Sequence, residues 1–194
     1  DIDSFDAPSH YDLLRAGELI QTSLANTQQF IDHFRPVLEA GSDVIYIGMS
    51  SGISGTYHAS SIAAAELMAE FPGRRVRTVD SLGAGFGPGL LTILAADLRS
   101  KGKTVDETAD HLDQKKMDLC EFFTVDDLMF LRRTGRLSTT GALAGTMLGI
   151  KPILRGDEDG HIVTYQKCRG RKKAVDTLAQ LYETRVVDAG SQIV

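Results

Sequence analysis

Three serines and three glycines fall within the eight residues from Gly48 to Gly55, which read Gly-Met-Ser-Ser-Gly-Ile-Ser-Gly. The apolar run Val44 to Ile47 precedes them, and a helix-forming stretch starts near Thr56. A strand that passes through a Gly/Ser turn into a helix makes an anion site. The first N–H groups of a helix lack intrahelical partners, and the helix dipole adds partial positive charge there. Ser50, Ser51 and Ser54 contribute hydroxyl donors. A second hydroxyl pair, Thr22 and Ser23, lies upstream, and Arg136 or Arg169 offers positive charge. The small and apolar residues of Thr139 to Leu148 would line a dry pocket. Neutral hydroxyls beside an apolar chamber suit a ligand with one carboxylate end.

Other chemistries compete for the same residues. Gly48-Met-Ser50-Ser-Gly52 matches the nucleophile elbow G-x-S-x-G, with Ser50 as nucleophile of a serine hydrolase. Against it, the loop continues through Ile53-Ser54-Gly55 before the helix, and His161, beside a turn, is the only late histidine for the triad. A phosphate-binding P-loop needs a Lys after the glycines, and none follows. Gly83, Gly85, Gly87 and Gly89 imitate a dinucleotide fingerprint, but they follow Asp80-Ser81 and do not leave a strand directly. Close packing of a Gly-rich helix start against a loop or ligand explains them better. Asp126-Asp127 reads as a helix cap and Asp157/Asp159 as a turn, and the five histidines are too scattered for a metal site.

The composition, 42% apolar and 24% charged, is that of a soluble globular protein. No apolar run is long enough for a membrane span. The acidic start lacks the basic and apolar regions of a signal peptide, and the chain reads as an excised piece of a longer protein. Cys120 and Cys168 are in no metal-type spacing and read as reduced, half-buried thiols of a cytoplasmic protein. The net charge is −5, yet Phe130 to Val175 holds ten Lys/Arg against three acids, leaving 11 basic and 23 acidic residues elsewhere. That basic segment points to an anionic ligand or partner. Nucleic acid is the weaker reading, since no aromatic-interleaved RNA signature or basic recognition helix accompanies it.

The elements that must position these residues divide into two groups. Helices are predicted from about Asp6 to Ala16, over Gln28 to Ala40 with Thr27 as cap, over Thr56 to Phe71, from Leu90 to Arg99, and from the capping box Thr104-Val-Asp-Glu107 to Lys116. Asp43 to Met49 and Arg75 to Val79 read as buried parallel strands, each ending in a polar loop at a carboxyl-edge crevice. From about Met117 the character changes. Leu119 to Val125 is a strand, and Thr124 with Asp127 caps a helical turn to Arg133. Ile150 to Leu154, with Pro152 near an edge, and His161 to Lys167 form a hairpin, followed by a helix over Lys172 to Tyr182. The expected fold is a parallel-sheet α/β domain over residues 1–116, followed by a smaller mixed, antiparallel α+β domain over 117–194.

Taken together, the motifs resemble the DegV family of bacterial fatty-acid-binding proteins. The resemblance rests on Thr22-Ser23 followed by Phe30, Ser50-Ser-Gly-Ile-Ser-Gly-Thr-Tyr57 and Asp80-Ser81. It rests further on Phe123-Thr-Val-Asp-Asp-Leu-Met-Phe-Leu-Arg-Arg-Thr-Gly-Arg136-Leu-Ser, Ile150-Lys-Pro-Ile-Leu and Arg169-Gly-Arg-Lys-Lys-Ala. It implies two α/β domains with a long-chain fatty acid buried between or within them, and no cofactor. It implies a carboxylate held by Thr22 and Ser54, with Ser51 as the alternative, and Arg136 and Arg169, with Arg171 as competitor, in partner contact or phosphoryl transfer. It implies a non-catalytic lipid-presenting subunit, served by a separate ATP-binding fatty acid kinase subunit that makes acyl phosphate for phospholipid synthesis. Family members usually begin with a strand ending in Thr-Asp-Ser and continue into a C-terminal third carrying a His near the carboxylate. Both parts are absent here, as if the chain were truncated at both ends, and the usual Thr-Ser-Gln-Pro reads Thr22-Ser23-Leu24-Ala25.

Overall fold

The structure is a computed structural model, which describes residues 5–18, 22–137 and 149–187. The expected small-residue helix at Thr139 to Leu148 lies outside the described residues.

Two parallel strands, β1 (Val44–Gly48) and β2 (Val76–Asp80), pair in register from Val44 opposite Val76 to Gly48 opposite Asp80. Their side chains alternate between two cores. Val44, Tyr46 and Val76 face α2 (Thr27–Glu39) and α3 (Thr56–Glu70), where Phe30, Phe34 and Leu38 pack on Ala59, Ala63, Ala64 and Leu67. Ile45, Ile47 and Val79 face α4 (Phe86–Ser100) and α5 (Val105–Lys115), packing on Leu91, Ala95, Ala109 and Leu112. Helices on both faces explain why β1 is apolar throughout instead of alternating. The alanines of α3 allow its backbone to lie close to α2 and the sheet.

Helix α1 (Ala7–Arg15) precedes this unit, with Asp6 as N-cap, Pro8 in the first turn and no buried residue. The cap of α2 is Asn26, one residue before the expected Thr27. The Asn26 side chain accepts the Gln29 N–H at 3.0 Å while the Gln29 side chain accepts the Asn26 N–H at 2.9 Å. This reciprocal capping box satisfies two donors, which a Thr27 cap without a partner would not. Helix α4 begins at Phe86 instead of Leu90, so Gly87 and Gly89 lie inside its first turns.

A 3₁₀ turn, Lys116–Asp118, leads into the second sheet. It is antiparallel, in the order β3 (Phe122–Thr124), β4 (Ile150–Gly156), β5 (Ile162–Arg169). Helix α7 (Arg171–Arg185) covers one face, where Ile153, Cys168 and Ala174 pack with Phe122, Leu178 and Leu181. Pro152 lies on the central strand, but β3 stops at Thr124, opposite Ile153, so β4 is locally an edge at the proline. Helix α6 (Met129–Arg133) is capped by Asp127, whose side chain accepts the Met129 N–H at 2.8 Å. The Thr124 hydroxyl takes no part in that cap and has no hydrogen-bond partner among the described residues. Cys168 is buried and Cys120 exposed, both as free thiols. No helix among the described residues is long and apolar enough to cross a membrane.

The box at the start of α5 forms as the sequence predicts. The Thr104 hydroxyl accepts the Glu107 N–H, and the Glu107 carboxylate accepts the Thr104 N–H at 2.9 Å. That backbone bond, then Lys103 and the Thr104 hydroxyl, hold the Glu107 carboxyl down at about 2. A carboxyl lowered in the folded state contributes stability above its ordinary value of 4.5, and the contribution is lost as pH falls through the folded value. The protection factors of the amides in the first turn of α5, referred to the intrinsic exchange rate at each pH, are therefore expected to fall as pH falls from 4.5 to 2. In Glu107→Gln the same amides lose this dependence; an equal fall in both proteins would refute the assignment.

Candidate functional site

The loop from Met49 to Gly55 joins the carboxyl end of β1 to α3, beside the loop that leaves β2. The two are laced together by backbone. The Ser50 N–H donates to the Gly83 carbonyl at 2.9 Å and the Ser81 N–H to the Gly48 carbonyl at 3.2 Å. Asp80 ends β2, and its nearly buried carboxylate accepts the N–H groups of Ser51 and Leu82, each at 3.1 Å. Within the loop the Ser50 carbonyl accepts from Ile53 and Ser54, and the Ser54 hydroxyl accepts from the Thr56 N–H at 3.3 Å. The N–H groups of Ser50, Ser51, Gly52, Ile53, Ser54 and Thr56 thus all have partners within the protein. Those six amides are committed, whereas the N–H groups of Gly55, Tyr57 and His58 at the start of α3 have no hydrogen-bond partner among the described residues.

Ser50 is fully buried. Its hydroxyl donates to the Gly160 carbonyl at 2.8 Å and accepts the Gly52 N–H at 3.1 Å. No histidine nitrogen reaches it among the described residues, and His161 lies instead 3.7 Å from Asp157. A shielded hydroxyl with its proton committed to a carbonyl is no activated nucleophile. Close approach at this junction requires glycine twice. A Cβ on Gly52 would lie 2.6 Å from the Asp159 carbonyl oxygen, and Gly160, at φ +75°, would drive a Cβ into the Ser50 hydroxyl. The β4–β5 hairpin turn presents Gly160 because the Asp157 carboxylate gathers the N–H groups of Asp159 and His161, at 3.0 and 2.8 Å.

The structure brings part of the predicted site together. Thr22 and Ser23 are exposed, and neither side chain forms a hydrogen bond among the described residues. The next residue, Leu24, lays its side chain across the start of α3, 3.0 Å from the point a Cβ on Gly55 would occupy. Ser51 is exposed and Ser54 half-buried, with the Ser54 hydroxyl donating to that of Thr56 at 2.9 Å. Arg136 approaches from the second sheet: its Nε donates to the Ile53 carbonyl at 3.3 Å and an Nη to the Thr134 carbonyl at 2.8 Å. A bridge from Leu137 to Ile162 holds this segment against the hairpin. Arg169 and Arg171 flank Gly170 at the β5–α7 junction, and neither bonds to the loop among the described residues. No metal-binding cluster occurs among the described residues.

Sequence reasoning missed Glu121. Its carboxylate accepts the N–H groups of Ala84 at 2.9 Å and Gly87 at 2.6 Å, at the start of α4. A Cβ on Gly83 or Gly87 would collide with it. The glycines of this helix start therefore do serve close packing, against a carboxylate of the same chain. Nothing local to Glu121 signals this, since the partner amides lie 34 and 37 residues away.

The chain matches the DegV family profile, described as "Uncharacterised protein, DegV family", over residues 1–194. A DegV domain-containing protein from Clostridium perfringens is 38% identical over 184 residues, covering 95% of this chain and 63% of that protein. A Lactococcus lactis DegV domain-containing protein is 38% identical over 167 residues, covering 86% of this chain and 58% of its own length. The chain thus spans about three-fifths of these relatives. A fatty-acid-binding DegV family protein from Streptococcus agalactiae has the same fold, with a TM-score of 0.83, 27% identity, and coverage of 95% of this chain and 64% of that one. DegV from Bacillus subtilis, a fatty-acid-binding protein, gives a TM-score of 0.74 at 31% identity, with coverage of 90% and 60%.

Two substitutions test the junction. Gly160→Ala is expected to destabilise by about 2–4 kcal/mol, since it combines a left-handed backbone with a clash. Ser50→Ala is expected to cost about 1–3 kcal/mol by stranding a buried carbonyl and N–H. Chemical denaturation measures both, and unchanged midpoints would show that the junction does not hold the fold.

Proposed function

The chain belongs to the DegV family, and from that premise we propose that it binds a long-chain fatty acid, with the carboxylate held by hydroxyls at the start of α3. The observation that carries this reading is the state of the Ser/Gly loop. Its amides from Ser50 to Ser54 are committed internally and those of Gly55, Tyr57 and His58 stay open at the helix start, while Thr22, Ser23 and Ser51 retain free hydroxyls and Ser54 donates only to a neighbouring Thr. A carboxylate needs a few oriented donors, and neutral hydroxyls can supply them as charge-assisted bonds. The Arg136 guanidinium, seated on the Ile53 carbonyl, adds positive charge to the same loop. Burial of the acyl chain would contribute most of the affinity, at about 0.8 kcal/mol per CH₂ before ordering costs.

In this reading the chain divides at residues 116/117 into two domains and works as the non-catalytic, lipid-presenting part of a cytoplasmic kinase system. A separate ATP-binding subunit supplies the phosphoryl donor. The fatty-acid carboxylate oxygen attacks the terminal phosphorus, the bond to the ADP oxygen breaks, and acyl phosphate forms for phospholipid synthesis. Arg136, Arg169 and Arg171 are the cations assigned to partner contact and to the charge of that transfer. Arg169 and Arg171 sit together at the β5–α7 junction, as one basic contact surface requires.

Organic extraction and mass spectrometry of the purified protein are expected to recover fatty acid, and added oleate or palmitate to bind saturably. Thr22→Val combined with Ser54→Ala should weaken oleate binding by about tenfold or more, the weight of one or two charge-assisted hydrogen bonds. Absence of co-purifying lipid together with no binding of added acid would overturn the proposal. A fluorophosphonate probe is expected to leave Ser50 unlabelled, and labelling lost in Ser50→Ala would favour a hydrolase instead.

A further inference from the structure

A cleft of about 220 Å³ opens where the β2–α4 loop meets the second sheet, and it touches none of Thr22, Ser23, Ser51 or Ser54. Phe122 lines it with Arg155 and Arg185, and Phe122 and Tyr165 form a ring pair with one guanidinium against each ring. Phe122 and Tyr165 meet edge to face with centroids 5.0 Å apart. The Arg185 guanidinium carbon lies 5.8 Å from the Phe122 centroid, and that of Arg155 lies 5.9 Å from the Tyr165 centroid. Arg185 also reaches the Tyr165 hydroxyl at 3.5 Å. Both arginines line the cleft, and neither pairs with a carboxylate among the described residues.

The other charged groups of the cleft are largely engaged. Lys116 pairs with Asp113 at 2.9 Å. The Glu121 carboxylate is held by the amides of Ala84 and Gly87, and that of Asp157 by those of Asp159 and His161. Glu158 lies exposed in the hairpin turn. Arg155 and Arg185 have no carboxylate partner among the described residues, while Glu121, Asp157 and Glu158 keep their negative charge in the same lining. Contact with a ring face uses none of a guanidinium's N–H donors, and it holds the planar fork in place before any ligand arrives. Two such forks on one wall suit a doubly charged oxyanion better than a single carboxylate.

We propose that this cleft is a second ligand site, which takes a small phosphate-type dianion between Arg155 and Arg185. The site is separate from the proposed fatty-acid head site, so occupation of one does not require the other. At about 220 Å³ it has room for inorganic phosphate or the phosphoryl end of a small metabolite.

The test is an NMR titration of the isotope-labelled chain with inorganic phosphate at constant ionic strength, with chloride and acetate as comparison arms. Phosphate is expected to shift the Arg155 and Arg185 side-chain resonances and the Cys120 to Phe122 amides saturably. Arg155→Gln with Arg185→Gln should abolish saturation, while Arg132→Gln on α6 leaves it intact. Arg155→Lys keeps the charge but loses the fork. It is expected to weaken binding about tenfold, the weight of a charge-assisted bond, and it covers the case in which the double variant does not fold. Shifts that do not saturate, that survive in the double variant, that are unchanged in Arg155→Lys, or that acetate reproduces equally would each overturn the proposal.

Discussion

One buried hydroxyl ties the parallel sheet to the antiparallel one. Ser50 stands at the mouth of β1 and spends its proton on the Gly160 carbonyl of the distant hairpin, while accepting the N–H of Gly52. The bond needs two glycines to let the backbones meet and the Asp157 turn to present the carbonyl. It also closes the loop on itself, because the Ser50 carbonyl gathers the next amides. The amides from Ser50 to Ser54 are thereby committed within the protein, and the Ser51 side chain stays exposed beside them.

The second strand-end loop treats the same physics differently. The helix dipole and exposed amides at the start of α4 favour an anion as much as those of α3 do. There the anion is already supplied by Glu121, which enters from the segment between the two sheets. The fold thus uses one helix start as an internal fastening and leaves hydroxyls uncovered at the other. Between the two fastenings lies the cleft walled by Arg155 and Arg185. Arg155 and Arg185 have no carboxylate partner there among the described residues, while Glu121 and Asp157 are drawn to backbone amides.

Much of the architecture was legible in the residues. The apolar run of β1 between polar loops signalled a strand buried on both faces, and Thr104 with Glu107 signalled the start of α5. The Asp157 to Gly160 turn signalled the hairpin. The misplacements have local causes. Asn26 displaced Thr27 as a cap because its amide could make a reciprocal bond with Gln29. Helix α4 started four residues early because Glu121 caps the Gly-rich turn from outside, which offsets the poor helix propensity of glycine. Pro152 kept its edge character on a central strand only because β3 ends one residue short of it.

By itself the sequence determined the elements, their alternation from parallel α/β to antiparallel, the hydroxyl-rich loop and the absence of a P-loop lysine. These depend on periodicity, capping and turn chemistry, which act over a few residues and so leave a visible pattern. Only the tertiary structure decided which serine is buried, which amides are spent, and which cations lack partners. Ser50 and Gly160 are 110 residues apart, and Glu121 lies 37 residues from Ala84. Contacts at that separation are set by how the sheets dock, and no local spacing records them. The loop that stood out in the sequence as an anion cradle is, in the folded chain, a turn fastened to the distant hairpin, with the amides from Ser50 to Ser54 committed within the protein.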